Sequence, residues 1–111
     1  MRKIVLLAVA LISVLTIGIP TANAQGSWST VTSPTTNPLE SVFMVSAGEG
    51  WAVGGSGTIL HYSGGSWNIV TSPTTNMLYS AFMVTASDGW VVGESGTILH
   101  YTGGSWNTVK A

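Results

Sequence analysis

Cysteine is absent from this chain of 111 residues, so no disulfide can brace the fold. Arginine occurs once, as Arg2, and lysine twice, as Lys3 and Lys110. Beyond residue 24 the chain therefore has no arginine, and Lys110 alone faces Glu40, Glu49, Asp88 and Glu94, a net charge of −3. A cationic surface for nucleic acid is excluded by that balance, and so is a basic patch for an anionic membrane. Only 6% of residues are charged. No apolar run after residue 19 is long enough to cross a bilayer as a helix.

The N-terminus reads as an address. Arg2 and Lys3 precede a mostly apolar, uncharged run from Ile4 to Ile19, which Gly18 and Pro20 interrupt. Ala22-Asn23-Ala24 places small residues where a signal peptidase cleaves. The run is about 16 residues, against roughly 20 for a spanning helix. Residues 1–24 are expected to be a secretory signal, leaving residues 25–111 extracytoplasmic and free of the membrane.

What is present is a repeat. Residues 26–64 and 65–103 align without gaps and differ at 11 of 39 positions, and residues 104–111 begin a third copy. Every landmark keeps the period: Trp28, Trp67 and Trp106, then Trp51 and Trp90, then His61 and His100. A fixed period of this length signals stacked supersecondary units. Within each unit four short runs read as strands: Leu39 to Val45, Gly50 to Gly54, Thr58 to Tyr62 and Ser66 to Thr71. Between them lie SAGEG, GGSG and SGG, where glycine admits positive φ and serine bonds its own backbone. Val42 to Val45 is apolar on both sides, as a sheet sandwiched between neighbours requires. The glycines and β-branched residues oppose helix, and no 3.6-residue stripe persists. The expected fold is all-β: two four-stranded antiparallel propeller blades, plus one extra outer strand at Ser27 to Thr32.

The segments GWAVGGSGTILHYSGGSW (Gly50 to Trp67) and GWVVGESGTILHYTGGSW (Gly89 to Trp106) resemble the BNR-like propeller repeats of the photosystem II assembly and stability factor family. The resemblance covers essentially all of residues 25–111. It implies a blade ordered as inner strand, GWAVG strand, TILHY strand and outer SWxxV strand. Ser63-Gly64-Gly65-Ser66-Trp67 and Thr102-Gly103-Gly104-Ser105-Trp106 are similar to an Asp-box without its aspartate. That family engages a photosynthetic partner through an arginine-rich surface. With no arginine after Arg2, the resemblance extends here to the fold and not to that role.

Propellers close with about four to eight blades. Two stacked blades bury only two of four apolar faces, leaving a surface that soluble monomers rarely carry. The chain is expected to be an incomplete propeller unless it assembles head to tail, completes another polypeptide or is part of a longer array. In a closed ring the segments at Trp28 and Trp106 would compete for one slot at each junction.

The candidate chemistry is sparse. His61 and His100 read as structural, since a metal site needs three or four converging ligands and no carboxylate shares their strands. The five tryptophans read as blade packing. Glu40, Glu49, Asp88 and Glu94 read as solvated turn charges; sialidase chemistry would also need arginines. No catalytic residue, metal ligand or cofactor is expected. The loops carry the binding expectation. Thr32 to Asn37 and Thr71 to Asn76 are both TSPTTN and link an outer strand to the next inner strand. Thr35, Thr36, Asn37, Thr74, Thr75 and Asn76 would place hydroxyls and amides beside Gly54 to Gly57 and Gly93 to Gly96, suited to a carbohydrate or peptide ligand. The sequence thus points to an exported, non-enzymatic binding or scaffold module, with itself or another propeller chain as partner. The alternatives are a fragment of a secreted BNR-type glycosidase or lectin, and a structural or adhesive repeat protein.

Overall fold

The computed structural model describes residues 26–110. The expected leader, residues 1–24, lies outside them. Eight strands follow in order: β1 (Leu39–Ser46), β2 (Glu49–Gly54), β3 (Ile59–Ser63), β4 (Ser66–Ile69), β5 (Leu78–Thr85), β6 (Asp88–Gly93), β7 (Ile98–Thr102) and β8 (Ser105–Thr108). They form two four-stranded antiparallel sheets, ordered β1-β2-β3-β4 and β5-β6-β7-β8. Each sheet is one period of sequential neighbours offset from the repeat boundary, its outer strand supplied by the start of the next copy, and is the blade that the glycine spacing anticipated. One-turn 3-10 segments at Gly55–Gly57 and Glu94–Gly96 join the second and third strands of each sheet.

The registers match position for position. Phe43 pairs with Trp51 and Trp51 with His61; in the second sheet Phe82 pairs with Trp90 and Trp90 with His100. The inner strand of each sheet carries two register shifts, one of them around Glu40 and Tyr79. An extra residue at a bulge sits outside the ladder and answers to few neighbours. That explains how a carboxylate and a phenol can replace one another there.

Strand alternation divides each blade into two faces. In the first blade Phe43, Trp51, Val53, Ile59 and His61 share one face, while Val42, Ala52, Leu60, Tyr62 and Trp67 share the other. The core forms where the first of these meets the second blade: Trp51, Val53 and Ile59 pack with Ala81, Met83, Val91, Leu99 and Trp106. Strand β5 lies against β1 and β2. Phe43 meets Phe82 at 4.8 Å, and Trp51 meets the edge of Trp106 at 5.3 Å and 86°. Each large side chain buried here contributes about 1.5–3 kcal/mol; on the opposite face of the first blade Ala52 and Leu60 are buried as well. The indole N–H groups of Trp51 and Trp106 are buried without a hydrogen-bond partner, so packing is bought at some cost in desolvation.

Two expectations need correction. Ser27 to Thr32 does not form a strand; residues 26–31 have no regular secondary structure, and the sheets belong to a separate compact unit starting at Thr32. The reason is the absence of a ladder. The outer strands β4 and β8 pair only with the ILHY strand just before them, and among the described residues none precedes Ser27. The tryptophans, expected as uniform packing residues, also divide. Trp51 and Trp106 are core, Trp67 is half-buried, and Trp90 is exposed on the outer face of the second blade.

Candidate functional site

The two TSPTTN loops fold identically because their side chains close local turns. Ser33 Oγ accepts from the Thr35 N–H at 3.3 Å and donates to the Thr35 carbonyl at 3.0 Å, and Thr35 Oγ1 accepts from the Asn37 N–H at 3.0 Å. Ser72, Thr74 and Asn76 repeat the pattern at 3.4, 3.1 and 3.0 Å. Pro34 and Pro73 pre-set φ for the turn.

Each loop is then clamped to the 3-10 turn of its own blade. Asn37 Nδ2 donates to Thr58 Oγ1 at 2.9 Å, and the Thr58 hydroxyl donates to the Gly55 carbonyl at 2.6 Å. Asn76 donates to Thr97 at 3.0 Å, and Thr97 to the Glu94 carbonyl at 2.7 Å. The expected neighbourhood of TSPTTN with Gly54 to Gly57 and Gly93 to Gly96 is therefore present. Thr35, Asn37, Thr74 and Asn76 spend much of their hydrogen-bonding capacity holding it together. Thr36 and Thr75 remain exposed.

A cleft of about 400 Å³ opens where the first repeat's loop and turn meet the second repeat's loop. Four of the six sequence candidates line it, Thr35, Asn37, Thr74 and Thr75; Thr36 and Asn76 do not. Ser56 and Thr71 add hydroxyls, and Ile59, Ile69 and Val70 give it an apolar part. Gly57 fixes its geometry. With φ +72° it is left-handed, and a Cβ there would fall on the Thr74 carbonyl oxygen, so only glycine lets the turn seat against the neighbouring loop. Beside it Ser56 is also left-handed, at φ 56° and ψ 30°, a conformation costing a non-glycine residue roughly 1–2 kcal/mol. Neutral donors and acceptors beside an apolar strip suit a peptide backbone or a sugar.

A second constellation was missed from sequence. His61 Nε2 donates to Glu49 Oε2 at 2.9 Å while its ring stacks on Trp51 at 4.0 Å; His100 donates to Asp88 Oδ1 at 2.8 Å and stacks on Trp90 at 3.9 Å. Glu49 and Asp88 are thus not merely solvated turn charges, because each is held by a histidine from the adjacent strand. The signal was a carboxylate twelve residues before a histidine in both repeats, but only the register puts them side by side. These groups lie toward the strand ends away from the cleft. Among the described residues no three of His, Cys, Asp and Glu converge.

No family model and no curated protein matches the chain. Solved structures do. It is similar to YCF48 bound to D1 peptide, with TM-score 0.65 and 26% identity over 76% of this chain and 30% of that one. It is also similar to YCF48 from Cyanidioschyzon merolae, with TM-score 0.65 and 20% identity over 78% of this chain and 30% of that one. YCF48 is a β-propeller, and the likeness supports the propeller blade as the fold of both sheets. The chain spans about 30% of the length of these neighbours.

Proposed function

We propose that this chain is an exported, non-enzymatic binding or scaffold module, working within a larger ring completed by self-assembly or by another chain, and that its ligand is an extended peptide held at the inter-repeat cleft. The observation that carries the reading is the cleft itself: two consecutive loops and a strained glycine-hinged turn converge on one lining of hydroxyls, amides and aliphatic side chains. Strain of this kind concentrates at ligand clamps. A solved structure with the same fold contains a propeller bound to a peptide, which supports peptide over sugar. Export rests on the basic, apolar and small-residue pattern of residues 1–24.

The test is to immobilise the chain and select from random-sequence peptides, with a panel of neutral oligosaccharides in parallel. Peptides should be retained, and Thr75→Arg, which fills the cleft from an exposed position, should abolish retention. Retention of sugars alone would replace this reading with a lectin. Peptides that bind Thr75→Arg equally well would place the site elsewhere.

A further inference from the structure

We infer that the open face of the second blade is covered by the first blade of another copy of this chain, in the register of the junction already present between the two repeats. This rests on the ring reading above and names the partner and the contacting faces.

The outer face of the second blade repeats the buried face of the first. Trp51, Val53 and Ile59 are 1%, 0% and 0% exposed; their counterparts Trp90, Val92 and Ile98 are 40%, 45% and 40% exposed. Phe82 likewise repeats Phe43, and His100 on Trp90 repeats His61 on Trp51. Along this face the lone difference among these packed positions is Asp88 for Glu49, and both carboxylates bond their histidines. A surface with this composition is buried once within the chain and bare once.

The face that would cover it is also already built. In the junction, Tyr101 and Trp106 of the second blade sit on Trp51, at 4.8 and 5.3 Å. The first blade holds the same pair, half-buried, on its other face, around a centre of Ala52 and Leu60 that is 5% and 1% exposed: Tyr62 meets Trp67 at 5.1 Å and 44°, against 5.0 Å and 43° for Tyr101 and Trp106. The blades differ at three positions of this face: Ile69 stands opposite Leu60 where Thr108 stands opposite Leu99, and the other two differences compensate. Val42 pairs with Ala52 in the first blade, Ala81 with Val91 in the second. The larger residue has moved across the ladder and the summed volume is unchanged, the kind of exchange a packed surface tolerates. Val42 itself is exposed, whereas its ladder partner Ala52 and the adjacent Leu60 are buried, so it is the rim of this face that remains open to a partner.

The turns give the register. Gly57 is buried against the Thr74 carbonyl, whereas a Cβ on Gly96 would meet nothing within 4 Å. The residue equivalent to Thr74 one repeat earlier is Thr35. The loop of the incoming copy would therefore seat the Thr35 carbonyl on Gly96, as Thr74 sits on Gly57. Because the two faces differ, the contact is heterologous and propagates head to tail until the rotation closes. With two blades per copy, closure within the known range of about four to eight blades takes two, three or four copies.

The experiment uses the chain of 111 residues with processing left to the host, and measures native mass by light scattering. The wild type should run at two, three or four times the chain mass. Trp90→Glu and, as an independent change on the same face, Val92→Glu should each run as folded monomers, with association weakened at least about 30-fold. Val42→Glu, on the opposite face, should do the same. Mixing Val42→Glu with Trp90→Glu leaves one intact face of each kind, so the mixture should form a dimer and stop there. A folded wild-type monomer, a self-associating single variant, or a mixture that stays monomeric would each overturn the inference. The cleft lies within one chain, so peptide retention by monomeric Trp90→Glu tests the functional reading separately. Assembly without retention sinks that reading alone, and retention without assembly sinks this inference alone.

Discussion

Two glycines with the same backbone separate conformational strain from steric fit. Gly57 has φ +72° and Gly96 φ +71°, but only Gly57 has a neighbour where a side chain would go. In the Trp90→Glu background, which the proposed assembly expects to be monomeric, Gly96→Ala should lower unfolding free energy by about 1 kcal/mol, the cost of forcing alanine to positive φ. Gly57→Ala carries the same strain and must also push the Thr74 loop away, so it should cost roughly 2–4 kcal/mol. Urea unfolding of the two variants checks this; equal losses would mean that the Thr74 contact contributes nothing. The stacked histidines make a second residue-scale test. Phenylalanine keeps a ring on Trp51 but strands Glu49, so His61→Phe should cost about 1–2 kcal/mol and Glu49→Gln/His61→Phe less than His61→Phe alone.

At the scale of elements, the paired strands β5 and β6 hold a small double-mutant cycle that the first blade has already run. Ala81→Val alone crowds a packed junction, at about 1–3 kcal/mol, and Val91→Ala alone leaves a void of similar cost. Together they recreate the Val42 and Ala52 arrangement. The double variant should recover most of the loss, with a favourable coupling of about 1–2 kcal/mol in denaturant titrations. The loops offer a local counterpart: Asn76→Ala removes the donor to Thr97 and should cost about 1 kcal/mol, with faster amide exchange confined to residues 71–76. Much of this scale was legible in sequence. The strands lie within a residue or two of the runs marked out by GGSG and SGG, because glycine positions punctuate strands whatever the tertiary context. The approach of TSPTTN to the GSG turns followed from blade connectivity. What could not be read were facts that depend on register. Glu49 and His61, like Val42 and Ala52, are neighbours only across a ladder. Burial was not legible either, since Trp51 and Trp90 share a local sequence and differ only in what stands beside them.

For the whole molecule, the proposed assembly through the open faces would make stability a matter of mass action. The thermal midpoint of the wild type should rise with protein concentration, and that of Trp90→Glu should not; differential scanning at several dilutions checks it. The proposed assembly would also create, at every copy–copy junction, a second cleft between the turn at Gly96 and the incoming loop at Thr35, so peptide stoichiometry should double from one per chain in the monomer to two in a closed ring. Titration calorimetry on both species reads that ratio directly.

The two 3-10 turns hold nearly the same dihedral angles, φ 56° and ψ 30° at Ser56 against φ 59° and ψ 34° at Ser95. One is pressed against a neighbouring loop and the other is bare. The shape of the turn is therefore set by its own sequence and does not wait for contact. Joining copies then resembles the meeting of rigid bodies more than a folding event, so encounter rates in the ordinary protein–protein range, about 10⁵–10⁷ M⁻¹s⁻¹, are expected without a slow conformational phase. A socket that is finished before its plug arrives can be filled at the speed of diffusion and orientation alone.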